Sequence, residues 1–240
     1  MKVLKPVYFA LDFSSGREAL DFLTLHHLEG VPVKVGMELF YKEGAPFIAE
    51  LKRRNHEVFL DLKLHDIPET VRRAMKNLAG LGVDIVTIHA SGGSHMIEAA
   101  RKGLSEGADG KTPLLFAVTV LTSMDERAMS REWKVEESTK DMVLHYSLLA
   151  AEHGADGVVC SVHEASLVKK ESGLLTLTPG IRLPGGPVHD QKRTATPVKA
   201  AMEGSDAIVV GRPIRNSGEP EDTYQTIKGE FLHGKKSVDS

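Results

Sequence analysis

Eight short apolar runs alternate with helix-favouring stretches along the whole 240-residue chain. The strand candidates are Val7-Leu11, Val31-Val35, Val58-Lys63, Ile85-His89, Leu114-Thr119, Gly157-Cys160, Leu175-Leu177 and Ala207-Val210. Helices are predicted between and after them at Arg17-His26, Ala45-Arg54, Glu69-Leu78, Met96-Gly103, Thr139-His153, Ala165-Lys170, Pro197-Met202 and Glu221-Lys228. About eight β/α units in a chain of this size predict α/β class and a single (β/α)8 TIM barrel. A weak internal repeat supports the reading. Gly82-Val83-Asp84, Gly154-Ala155-Asp156 and Gly204-Ser205-Asp206 each precede a strand. In each, the glycine stands where a left-handed helix C-cap belongs. A doubly wound open sheet is the alternative, but no G-x-G-x-x-G follows the first strand.

The composition sets limits on partners. With 41% hydrophobic and 26% charged residues the chain can bury a large core. A net charge of -3 gives no electrostatic case for nucleic acid or an anionic membrane. The single cysteine, Cys160, allows no internal disulfide, which fits a reducing cytoplasm. Pro6 and Asp12 interrupt the N-terminal apolar stretch, leaving it too short for a signal peptide or membrane span. The chain therefore reads as one domain, 1–240, with a frayed polar tail after about Gly229.

The strand ends carry the chemistry. In Val58-Phe59-Leu60-Asp61-Leu62-Lys63-Leu64, alternation puts Leu60, Leu62 and Leu64 on one face and Phe59, Asp61 and Lys63 on the other. An isolated Asp-x-Lys reads as a solvated edge pair. Here strand one also ends at Asp12, strand two carries Lys34, and strand four ends at His89. A closed barrel aims all four at its C-terminal rim, where sites of this architecture lie. For each a quieter role stays open: Asp12 in capping the helix that follows, with Ser14 or Ser15, Lys34 in reaching out of the barrel mouth, His89 in the core. Alternating charges survive burial only if they satisfy one another, which makes the set a functional candidate. Strand seven runs into Thr178-Pro179-Gly180-Ile181-Arg182, then a long Gly/Pro-rich segment containing Gln191. Strand eight runs into Gly211-Arg212. Loops after these two strands form the usual phosphate site of the fold, so Arg182 and Arg212 are the candidate anion ligands.

These pieces resemble the orotidine 5'-phosphate decarboxylase family in its bacterial form. The resemblance runs from Ala10-Leu11-Asp12 through Lys34-Val35-Gly36, Asp61-Leu62-Lys63-Leu64-His65-Asp66-Ile67-Pro68, Leu121-Thr122-Ser123, Thr178-Pro179-Gly180-Ile181-Arg182 and Gln191 to Gly211-Arg212. Asp-x-Lys-x-x-Asp-Ile-Pro is its most specific part. The resemblance implies a homodimeric (β/α)8 barrel. It implies conversion of orotidine 5'-monophosphate to UMP and CO2, with no metal or organic cofactor. It makes Lys63 the proton donor, with Asp61 and Lys34 completing its charge network. Asp66 would enter that network from the partner subunit, with Ile67 and Thr70. Asp12 and Lys34 would hold the ribose and Thr122 the pyrimidine. Arg182, Gln191, Gly211 and Arg212 would grip the phosphate. The rival is a Mg2+-dependent 3-keto-L-gulonate 6-phosphate-type decarboxylase. Those enzymes share Asp-x-Lys-x-x-Asp but carry an acidic residue where this chain has Lys34.

Overall fold

The computed structural model describes residues 4–183 and 193–238. Eight parallel strands close into a barrel in the order β1 to β8, with β8 pairing back onto β1. They are β1 Val7–Ala10, β2 Val33–Gly36, β3 Val58–Leu64, β4 Ile85–His89, β5 Leu114–Val118, β6 Gly157–Val159, β7 Leu175–Thr178 and β8 Ala207–Val210. One main helix follows each strand: α1 Gly16–Leu25, α2 Met37–Arg53, α3 Pro68–Ala79, α4 Ser94–Gly107, α5 Thr139–Glu152, α6 Ala165–Ser172, α7 Pro197–Met202 and α8 Pro220–Val238. Val7 stands opposite Ile208, so the sheet has no free edge and the open-sheet alternative is set aside.

Closure explains why the strands read as continuous apolar runs. Tyr8, Ala10, Phe59, Ile85, Phe116, Leu177, Ala207 and Val209 point inward and fill the barrel. Their neighbours in sequence, among them Val7, Phe9, Leu60, Val86, Leu115 and Ile208, point outward and pack under the helices. Local signals start several helices. Side chains of Ser15, Ser138 and Thr196 accept the backbone N–H of Glu18, Asp141 and Lys199.

The Gly-x-Asp repeat has a structural cause. Gly82, Gly154 and Gly204 are left-handed, with φ of 68°, 92° and 87°. Each following Asp then turns back under the barrel. Asp84 accepts the backbone N–H of Val58 at 2.9 Å and Lys52 Nζ at 2.6 Å. Asp156 accepts the N–H of Leu115 at 2.7 Å and pairs with Arg101. Asp206 accepts the N–H of Thr176 at 2.9 Å and Lys169 Nζ at 2.8 Å. In all three cases the aspartate caps the preceding strand and takes a cation from a helix.

Three of the differences from expectation have a clear physical cause. β2 starts at Val33 because Pro32 has no N–H for the ladder. α2 starts directly after β2, and a left-handed Gly44 (φ 68°) with Pro46 breaks it in two. Only its second half was predicted. The segment after Gly229 is helical to Val238 rather than frayed. Phe231 is fully buried, and Lys235 Nζ donates to the carbonyl of Asp206 at 2.8 Å. Among the described residues no helix is long and apolar enough to cross a membrane.

Candidate active site

The decisive local feature is a bulge in β3. The strand pairs regularly with β2 from Val58 to Asp61. Against β4 the register slips: Leu60 faces Val86, but Leu64 faces Ile88. Four steps along β3 thus match two along β4. The excess is absorbed around Lys63, whose φ is +52°. A left-handed conformation costs a residue with a Cβ about 1–2 kcal/mol, so the surrounding contacts must over-determine it. Lys63 N–H donates to Thr87 Oγ1 at 2.9 Å, and Thr87 Oγ1 donates to Asp61 Oδ1 at 3.0 Å. Lys63 Nζ donates to Asp61 Oδ2 at 2.6 Å. Both carboxylate oxygens of Asp61 are thereby committed, one to a hydroxyl and one to an ammonium.

Next to this pair, Lys34 Nζ donates to Asp12 Oδ1 at 2.8 Å. Ser15 caps α1, so Asp12 is not its cap. Lys34 is not splayed into solvent either; its side chain is 13% exposed. Gly211 supplies room beside Asp12, because a Cβ there would lie 3.2 Å from Asp12 Oδ2 and 3.3 Å from Ala10 Cβ. Arg215 secures the same corner by donating to the Asp12 carbonyl, with its guanidinium 5.9 Å from the Phe13 ring centre.

Asp12, Lys34, Asp61, Lys63, Thr122, Arg182, Gly211 and Arg212 all line one cleft of about 240 Å³ at the C-terminal end of the barrel. Phe59, Leu177 and Val209 form its apolar floor. Ligand pockets run from roughly 300 Å³ upward, so a small polar metabolite is the size class that fits. On the β7 side, Gly180, Ile181 and Arg182 are zipped to Ala195: Arg182 N–H donates to Ala195 O at 2.9 Å and Ala195 N–H to Gly180 O at 3.2 Å. Gln191 lies outside the described residues.

Asp66, Ile67 and Thr70 stand apart from that cleft. All three are exposed at the start of α3, and Ile67 is 68% exposed. Asp66 Oδ1 accepts the N–H of Ile67 at 2.7 Å. His89 does not line the cleft; its ring lies 5.6 Å from that of His65. Burial, then His65 and Lys63, hold the His89 imidazole below its usual pKa. Cys160 lines the cleft but is fully buried, and burial pushes its thiol pKa up, so it is no thiolate nucleophile.

Residues 5–227 match the family model described as Orotidine 5'-phosphate decarboxylase / HUMPS. The chain belongs to that family. A Streptococcus suis protein named orotidine 5'-phosphate decarboxylase is 51% identical over 237 residues, covering 98% of this chain and 100% of the relative. A Listeria innocua protein of the same name is 50% identical over 230 residues, covering 95% and 98%. The crystal structure of orotidine 5'-phosphate decarboxylase from Lactobacillus acidophilus superposes with a TM-score of 0.84, at 39% identity, covering 95% of this chain and 99% of that one.

Two residues of this family member escaped the sequence reading. Thr87 was hidden because threonine is common in strands. The alternation Ile85, Thr87, His89 still placed it on the inward face beside Asp61. Arg193 closes the far side: its Nη1 donates to Glu164 Oε1 at 2.5 Å and its Nη2 to the carbonyls of Val120 and Leu121 at 3.5 and 3.3 Å. It fastens the end of the long segment to the β5 terminus that leads into Thr122. Glu164, its buried acceptor, sits in a capping box after β6.

Proposed function

We propose that the chain decarboxylates orotidine 5'-monophosphate to UMP and carbon dioxide, the last step of UMP synthesis, with its own side chains supplying the chemistry. The observation that carries the reading is the order of groups around the rim. β8, β1, β2 and β3 are consecutive neighbours in the closed barrel. They present Arg212, then Asp12, then Lys34, then Asp61 with Lys63. That is the order phosphate, ribose, reacting ring. Arg182 and the Gly211 backbone join Arg212 on the phosphate, with Gln191 added from the long segment. Asp12 and Lys34 take the ribose hydroxyls, and Thr122 meets the pyrimidine.

Each step then has a group. The bond from C6 to the carboxylate breaks, and its electron pair stays on C6. The Lys63 ammonium, fixed by Asp61, sits against that developing charge and offsets it. It then gives a proton to C6 and is reprotonated from solvent. The distant phosphate grip supplies binding energy that the reacting carbon alone cannot. A protein with one buried free cysteine suits a reducing cytoplasm.

The active form would be a homodimer. What supports this is that Asp66, Ile67 and Thr70 are exposed and outside their own cleft, so they are available to a second copy. Mixing Lys63→Ala with Asp66→Ala protomers tests this. Sites shared across a two-fold interface restore roughly a quarter of wild-type activity, because half of the dimers regain one intact site. No recovery sinks the shared site. The activity itself is tested by following loss of the orotate absorbance in excess EDTA. Turnover in EDTA supports the reading. Turnover only after Mg2+ and a keto-sugar phosphate are supplied rejects it.

A further inference from the structure

We infer that Thr87 is a positioning residue for Lys63, acting through the Asp61 carboxylate and through the left-handed backbone of β3. The kinetic part of this inference rests on the decarboxylase reading above; the geometric part does not.

Thr87 lies in the middle of β4, is 1% exposed, and does not line the cleft. It therefore acts only through what it holds. Its hydroxyl has one proton and accepts through its lone pairs. The acceptor side is filled by the N–H of Lys63 at 2.9 Å. The proton is then directed at Asp61 Oδ1, 3.0 Å away. The ring closes through Asp61 Oδ2, which accepts from Lys63 Nζ at 2.6 Å. One hydroxyl thus joins the two ends of the same lysine, its backbone directly and its ammonium by way of the carboxylate.

The bulge shows why a side chain is needed there. In a regular parallel ladder a strand N–H bonds a neighbouring carbonyl. Where β3 slips between Leu60 and Leu64, the N–H of Lys63 goes to Thr87 Oγ1 instead. Valine at this position fills the same space and keeps the β-branch. It leaves the Lys63 N–H and one Asp61 oxygen buried without that partner. The carboxylate is then free to rotate, and the left-handed Lys63 loses the bond that over-determines it.

The test compares Thr87→Val, Thr87→Ser and wild type in single-turnover kinetics with orotidine 5'-monophosphate, alongside crystal structures of each. Thr87→Val is expected to lower the decarboxylation rate about 10- to 100-fold, with the KM little changed, because the phosphate grip is intact. Thr87→Ser, which keeps the hydroxyl, is expected to recover most of that rate. A group that merely filled space would give no such split and no such rescue. In the Thr87→Val structure Lys63 is expected to leave the left-handed region or its Nζ to leave hydrogen-bond range of Asp61. Should Thr87→Val not fold, Thr87→Ala replaces it, with the same expected split. A wild-type rate in the valine variant overturns the inference, as does a serine variant as slow as the valine one. If wild type itself does not turn over the nucleotide, the functional reading fails. The structures then decide alone: an unchanged Lys63 φ and an unchanged Lys63–Asp61 contact in Thr87→Val overturn the role of Thr87.

Discussion

The two rims of this barrel are built from the same residue types and do opposite things. At the N-terminal rim, Asp84, Asp156 and Asp206 each pair with a helix cation. Each also accepts a strand N–H. At the C-terminal rim, Asp12 and Asp61 pair with Lys34 and Lys63. Among the described residues, neither of those two side chains accepts a backbone N–H. The lower aspartates are consumed by the fold: they end strands and tie helices to the sheet. The upper ones are held only by other side chains and face a cleft. On the proposed reading, Asp12 and Asp61 serve the reaction because no backbone N–H among the described residues claims them.

The largest expected effect comes from breaking the upper rim. Lys63→Ala removes the ammonium that the proposed mechanism uses as charge stabiliser and proton donor, and kcat is expected to fall at least about 10⁴-fold. Its urea midpoint should stay close to wild type, since the Lys63 side chain is 24% exposed in the cleft and Asp61 keeps its bond to Thr87. Substantial residual turnover would refute its role as donor. Asp156→Ala breaks the lower rim, with the opposite outcome. Its side chain is 3% exposed and holds both Arg101 and the N–H of Leu115. Chemical denaturation is expected to show a loss of about 3 kcal/mol, with kcat near wild type for the folded fraction. A stable but inactive Asp156→Ala would erase the distinction between the rims.

Arg212→Ala sharpens the comparison within the upper rim. It removes the charged donor assigned above to the phosphate, and kcat/KM is expected to fall about 100-fold. An unchanged kcat/KM removes Arg212 from the site. The smallest effect is a pH dependence of stability. His56, at the lower rim, is 1% exposed with Nδ1 2.7 Å from the carbonyl of Val31. Burial lowers its pKa. A histidine depressed in the native state contributes stability that is present above its unfolded pKa of about 6.5. That stability is lost as pH falls through the lowered native value. The melting temperature should therefore drop between about pH 7 and pH 5, and the drop should be smaller in His56→Gln. An identical drop in the variant assigns the effect elsewhere, first to His89, whose pKa burial also lowers.

Much of this was legible in the chain. Strand alternation placed Phe59 inside the barrel and Asp61 and Lys63 above it, because side-chain direction along a strand is a local property. The repeated glycine before each lower aspartate was legible for the same reason: a left-handed C-cap needs only its own residue and the turn around it. The first half of α2 was missed; Gly44, with φ 68°, divides the helix just before the predicted Ala45-Arg54. The tail after Gly229 looked polar because its few apolar residues, Phe231, Leu232 and Val238, stand among charged and polar ones. Only the packing of α8 on α7 shows that it is buried.

The sequence by itself determined the eight β/α units, the family, and which residue types stand at each strand end. These depend on local period and on motifs carried by contiguous residues. Only the tertiary structure decided which charges stay available. It spends Asp84, Asp156 and Asp206 on strand ends, bends β3 by two residues against β4, and brings Thr87 under Lys63. Those outcomes depend on register between strands that lie 24 residues apart in the case of Lys63 and Thr87. Register is set by closing the whole barrel, so it is written in no single segment of the chain.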